Sequence, residues 1–196
     1  VAPEVDVVVS SDPAVVLSSD RVVLPGQGAI GHWMKTLQHG PESGSMQQAV
    51  QQVLSDRPVL GICLGLQALY ASSSENDGCQ CLGLLTGRVV HFRESCSAVI
   101  DRDHLKIPHM GWNRVHQTEP HPLWAGIEDG ARFYFVHSYH GFDAAAAEVV
   151  GQTNYGIDFV SAAARENIFA VQFHPEKSAA CGLQMLSNFV QWDGKP

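Results

Sequence analysis

Cys63 stands between two glycines in Gly61-Ile-Cys-Leu-Gly65, behind the short apolar run Val59 to Ile62 and ahead of Leu64 to Leu69, which has helical composition. A strand that bends sharply into a helix crowds the backbone at the bend, so flanking glycines are what an exposed nucleophile at such a turn needs. The N-terminus of the helix would favour an anion there, so the same placement predicts a thiolate rather than a thiol. A cysteine nucleophile also needs a base to take and return a proton, and the base needs an orienting group. Phe173-His-Pro-Glu176 offers both at the end of an apolar run. If extended geometry persists through Pro175, His174 and Glu176 face the same side. A third loop, Pro25-Gly-Gln-Gly28, follows the apolar run Arg21 to Leu24, and its glycines can take positive φ and aim backbone amides at an anion.

Each motif alone has an ordinary reading: a buried structural cysteine, a hydrogen-bonded core histidine, a plain βα turn. Metal binding is the competing use of Cys79, Cys81 and Cys96, yet the chain has no C-x-x-C pair and no H-E-x-x-H among its ten histidines. No metal is expected, and no cofactor. The glycine loops lack the G-K-[ST] ending of a phosphate-binding loop. A formal charge of -8 without any basic run argues against nucleic acid or an anionic membrane as partner. No apolar run approaches the roughly 20 residues that span a bilayer. Five cysteines without regular spacing suit a reducing compartment, so a soluble cytoplasmic chain is expected.

The elements that must position these residues alternate. Val5 to Val9 reads as a strand, Asp12 and Pro13 open a short helix to about Leu17, and Arg21 to Leu24 is a second strand. Ala29 to Leu37 and Met46 to Leu54 have helical spacing on either side of a loop at His39 to Gly44, and the Cys63 strand follows. Such alternation implies an α/β fold with a largely parallel central sheet flanked by helices. Ser72 to Gly78 is loop-like, and Leu82 to Leu85 and Gly87 to Phe92 look like strands around a Thr86-Gly87 turn. Arg132 to Val136, Glu148 to Thr153, Phe159 to Ala163 and Ile168 to Phe173 continue a β series, and Gly182 to Trp192 is the closing helix. A chain of 196 residues with 45% hydrophobic content fits one domain over its whole length. Val1 is not a methionine and an element follows almost at once, so the chain is expected to be a fragment.

Pro25-Gly-Gln-Gly28, Gly61-Ile-Cys-Leu-Gly-Leu-Gln67 and Phe173-His-Pro-Glu176, in that order, resemble the class I (triad) glutamine amidotransferases. Lys106-Ile-Pro-His-Met-Gly-Trp-Asn113 and His137-Ser-Tyr139 narrow the likeness to the glutaminase subunits of imidazole glycerol phosphate synthase. The resemblance implies a flavodoxin-like α/β fold that lacks the family's first strand and helix. It implies that Cys63 attacks the side-chain amide of L-glutamine, His174 passes a proton to the leaving ammonia, and Glu176 holds the imidazole. The amides of Leu64 and Gly28 would form the oxyanion hole, and Gly26, Gln67, Glu75, Ser138 and Tyr139 would hold the substrate. Ammonia would pass to a (β/α)8-barrel cyclase subunit in histidine biosynthesis. Trp112 and Lys177 are candidates for carrying a signal at that interface, against the ordinary readings of a packed ring and a solvated charge. Gln27 and His140 depart from the family's usual apolar or aromatic residues. The complete Cys63, His174 and Glu176 set favours a working glutaminase over a silent scaffold.

Overall fold

The computed structural model describes residues 4–38 and 45–196. Its first elements are α1 (Pro13–Ser18), β1 (Val22–Leu24), α2 (Ile30–Gln38), α3 (Ser45–Asp56), β2 (Val59–Ile62), α4 (Leu64–Gln67), β3 (Ser72–Ser73), β4 (Cys79–Gln80) and β5 (Arg88–His91). They are followed by α5 (Phe92–Arg102), β6 (His109–Arg114), β7 (His116–Gln117), β8 (Arg132–His137), β9 (Tyr139–Phe142), β10 (Val149–Tyr155), β11 (Ile157–Arg165), β12 (Ile168–Val171) and α6 (Ala179–Gln191). The main sheet runs β1-β2-β12-β11-β9-β5-β3-β4, with β10 on β11 and β7 on β10, while β6 and β8 form a separate pair.

The fold is α/β, and the site is built on its parallel part. β2 lies parallel between β1 and β12, and both β2 and β12 are buried along their length, which is why they read as unbroken apolar runs. β3 and β5 form the other parallel pair. Between β12 and β5 the sheet is antiparallel, and tight turns at Gly156 and Glu166-Asn167 join β10, β11 and β12 in succession. One face packs Phe133, Phe135, Phe169, Phe173, Trp124 and Met185; the other packs Val53, Leu54, Leu66, Leu69, Tyr70 and Val89.

Several elements differ from the sequence expectation. Val5 to Val9 forms no strand, and Val7, Val8 and Val9 are 79%, 63% and 98% exposed. β-branched residues favour a strand only where a pleated, half-buried surface receives them. Ser72 to Gly78 is more ordered than a loop, with β3 and a 3-10 turn over Glu75–Asp77. Leu82 to Leu85 is not a strand. Its amides instead satisfy the carbonyls of the turn that follows α4, Leu82 donating to Ala68 O, Gly83 to Tyr70 O, and Leu84 and Leu85 to Leu69 O. Phe92 ends no strand but opens α5, a helix capped by His91 and Glu94. A break at Cys96 (φ -151°, ψ 37°) interrupts its apolar period. The expected loop at His39 to Gly44 lies outside the described residues.

Candidate active site

The strand-to-helix bend is present, and Cys63 sits on it at φ 54°, ψ -102°. A non-glycine residue held there costs about 1–3 kcal/mol, which the surrounding structure must offset. The Cys63 amide donates to Val171 O (2.8 Å), joining the bend to β12. The flanking glycines are required by close approach. A Cβ on Gly65 would overlap the Leu24 carbonyl oxygen of β1, and one on Gly61 would lie 2.9 Å from the Ala170 Cβ of β12. Gly26 serves the same end from the other side, since a Cβ there would lie 2.7 Å from the Cβ of Leu64.

His174 follows β12 and is fixed by its backbone. Its amide donates to Tyr134 O (2.9 Å) on β8, and its carbonyl accepts from the Ser178 hydroxyl (2.6 Å). Its Nδ1 lies 2.8 Å from Glu176 Oε1, so that nitrogen carries the proton, and its buried Nε2 has no partner among the described residues. The carboxylate arrives by a different route from the one expected. Pro175–Lys177 is a 3-10 turn, not a continued strand, and it folds Glu176 back onto the imidazole while leaving it 47% exposed at the side chain.

A cavity of about 310 Å³ gathers Cys63, Leu64, Gly28, Gln67, Glu75, Ser138, Tyr139 and His174, with Gln27, Pro108, Val136, His137 and Lys177 completing its wall. Two of the sequence candidates lie behind that wall: Glu176 behind His174, and Gly26 against Leu64 and the Trp33 ring. Gly28 takes φ 93°, the conformation its type permits. Glu75 accepts the Ile30 amide at the start of α2 (2.8 Å), which ties the Pro25–Gly28 loop to the opposite wall. Gln67 donates through Nε2 to Tyr139 O (3.2 Å) and Gln172 Oε1 (3.1 Å), leaving only its carbonyl oxygen for a ligand.

The electrostatics correct one expectation. Burial pushes the Cys63 thiol up to about 11, against the lowering effect of the Leu64 backbone amide; Glu176 adds to the rise, and the Gln172 amide and Lys177 oppose it. The resting group is therefore the thiol, because a helix of four residues cannot offset the loss of water. The site is a cavity whose wall carries both a protonated thiol and an oriented imidazole with a nitrogen that has no partner among the described residues.

The family model for class-I glutamine amidotransferases matches residues 18–192. The chain belongs to the class-I glutamine amidotransferase family. It is 51% identical over 188 residues to imidazole glycerol phosphate synthase subunit HisH of Methylococcus capsulatus, covering 95% of this chain and 84% of that one. It is 50% identical over 192 residues to the HisH subunit of Aromatoleum aromaticum, covering 98% and 88%. Among solved structures it resembles a glutamine amidotransferase of Thermotoga maritima (TM-score 0.52, 17% identity, 88% of this chain and 63% of that one covered). It also resembles PurLQS of Thermotoga maritima (TM-score 0.59, 14% identity, 88% and 79% covered). These two likenesses show the amidotransferase fold.

Sequence reasoning passed over Gln172 and gave His137 no role. Gln172 is fully buried and its Nε2 lies 3.6 Å from the Cys63 sulfur. The available signal was one polar residue inside the apolar run Ile168 to Phe173. His137 is buried between Phe135, Phe159 and His109, and burial, reinforced by the neighbouring His109, holds it well below the usual histidine range.

Proposed function

We propose that residues 1–196 work as one amidotransferase domain that hydrolyses L-glutamine to glutamate and ammonia, with Cys63 as nucleophile, His174 as proton carrier and Glu176 as its orienting group. The observation that carries this reading is that Cys63 and the unpartnered Nε2 of His174 share one cavity while Glu176 holds the far side of the imidazole. Substrate fills the cavity against an already desolvated thiol, and His174 Nε2 takes the thiol proton as the sulfur adds to the amide carbon. The oxygen of the tetrahedral intermediate is met by the Leu64 and Gly28 amides, each worth about 2.7–4 kcal/mol where such donors have been removed from other enzymes. The imidazolium returns its proton to the amide nitrogen, the C–N bond breaks, and ammonia leaves a glutamyl thioester. Water, deprotonated by His174, hydrolyses that thioester and restores the thiol. Gln67, Glu75, Ser138 and Tyr139 offer the polar groups that hold the amino-acid end, and Gly26 keeps Leu64 in register by its lack of a side chain.

The HisH relatives support a place in imidazole glycerol phosphate synthase, where the ammonia is delivered to a cyclase subunit with a (β/α)8 barrel. Met110 and Trp112, 62% and 44% exposed on β6, and Lys177 at the cavity rim form a docking face for that cyclase. Among the described residues no helix is long and apolar enough to cross a membrane, and all five cysteines are free, in keeping with work in the cytoplasm. Glutamate release by the purified chain, with and without the cyclase and its nucleotide, tests the reading. We expect slow release alone, faster release in the complex, and none from Cys63→Ala, which should still bind the cyclase. Turnover by that variant would overturn the assignment.

A further inference from the structure

A hydrogen-bond chain runs from the cavity wall into the protein behind it, and its polarity is set by atoms that can only accept. Tyr139 O receives the Gln67 Nε2 (3.2 Å) and lies 2.8 Å from His137 Nδ1. A carbonyl donates nothing, so Gln67 must turn its NH2 inward, and its second proton goes to Gln172 Oε1 (3.1 Å). Gln172 is then oriented as well. Its NH2 group, not its carbonyl, faces Cys63 Sγ at 3.6 Å. On the other arm His137 must carry its proton on Nδ1, so its Nε2 accepts from His109 Nδ1 (2.9 Å), and His109 Nε2 accepts from Asn113 Nδ2 (3.2 Å). Asn113 is held in that orientation by a second carbonyl, Asn154 O (2.9 Å), and by the Arg114 amide on its Oδ1 (2.8 Å). Reversing any one amide places two donors or two acceptors face to face, and at Gln172, which is fully buried and away from the cavity wall, the mismatch is costly.

We propose that this chain makes Gln172 a further residue of the active site, whose amide is held as a fixed donor to the Cys63 sulfur and favours the thiolate over the thiol as the reaction proceeds. Gln67 positions it, and Tyr139 O, with the His137–His109–Asn113 arm behind it, fixes the direction. The inference rests on Cys63 being the nucleophile. A donor held against sulfur gains most when the sulfur is charged, so its effect is on reactivity and not on substrate affinity; Gln172 is absent from the cavity wall. The other groups facing Cys63 are His174, the Leu64 amide, Glu176 and Lys177, with Glu75, Tyr139 and His137 around the cavity. None of them changes in the variants below except through this chain.

The test is the pH dependence of Cys63 alkylation by iodoacetamide in the full chain, read by mass spectrometry so that Cys79, Cys81, Cys96 and Cys181 are scored separately. Gln172→Met keeps the volume and removes the donor. We expect the Cys63 profile to move up by about one pH unit, equivalent to about tenfold less thiolate at a fixed pH below the midpoint. The kcat for glutamine should fall while KM stays near wild type. Gln67→Met should shift the profile in the same direction, and the double variant no further than Gln172→Met alone, since both act through one donor. In the wild-type protein, the Gln172 side-chain amide signals in a nitrogen-15 spectrum should move with the Cys63 titration and stand still in Cys63→Ala; this decides the matter even if the variants fail to fold. Coincident profiles for Gln172→Met and wild type, or amide signals indifferent to Cys63, would overturn the inference while leaving the nucleophile in place. Failure of a glutamine-analogue electrophile to label Cys63 in wild type would instead overturn the underlying reading.

Discussion

At the scale of single residues the site is a contest between burial and donors around one sulfur. Burial lifts the Cys63 thiol to about 11, and the groups that act the other way, the Leu64 and Gln172 amides and Lys177, do not overcome it. On the reaction proposed above, Cys63 therefore depends on a base at the moment of attack, which raises the weight carried by the His174–Glu176 contact at 2.8 Å. We expect Glu176→Gln to lower kcat by about 10²-fold or more, the scale of a lost general acid–base contribution, with KM for glutamine little altered because Glu176 does not line the cavity. Steady-state glutamate release measures it, and an unchanged kcat would mean that His174 needs no carboxylate partner. The gathering of Cys63, His174 and Glu176 was legible because each stands in a short local motif, even though the geometry of the last one is a turn and not a strand. Gln172 was not, since what makes it matter is a chain of contacts to Gln67 and Tyr139, 105 and 72 positions apart in their pairings.

At the scale of elements, legibility follows where the determinants lie. β2, β12 and the Cys63 bend were readable because burial on both faces leaves unbroken apolar runs and because crowding at a bend demands glycine. Even there the structure adds a cause the motif does not contain: Gly65 is small for the sake of the Leu24 carbonyl on the neighbouring strand. Val5 to Val9 misled because strand propensity is a property of a receiving surface. Leu82 to Leu85 misled because its amides are taken up by the carbonyls of the turn after α4, a tertiary assignment of hydrogen bonds that apolar composition cannot reveal. α5 was hidden twice, by the break at Cys96 and by a cap built on His91 where Ser, Thr, Asp or Asn is the usual signal. The His174–Glu176 pairing was right for the wrong local reason, a 3-10 turn doing what an extended pair was expected to do.

At the scale of the whole molecule, the buried histidines link stability to acid. Burial lowers His109 and His121 to about 4 and His137 and His140 below their ordinary 6.5. The unfolded chain, with histidines near 6.5, binds these protons more readily than the native one, so the contribution is complete above about pH 6.5 and is lost as pH falls toward 4. At about 1.4 kcal/mol per unit, each strongly shifted histidine accounts for about 2 kcal/mol between pH 6.5 and pH 5. Urea midpoints at pH 7.5 and pH 5 should therefore differ by several kcal/mol in the derived stabilities; a flat profile would mean that these histidines are already neutral or solvated in equal measure in both states. In the proposed reaction the parallel strands β1, β2 and β12, the Cys63 bend and the oriented imidazole serve one covalent step, and that step can be caught. The protein is treated with a diazo-ketone analogue of glutamine, with and without the cyclase, digested and mapped by mass spectrometry. One adduct is expected, on Cys63, suppressed by excess glutamine; an adduct on Cys79, Cys81, Cys96 or Cys181 with Cys63 untouched would contradict the assignment of the nucleophile.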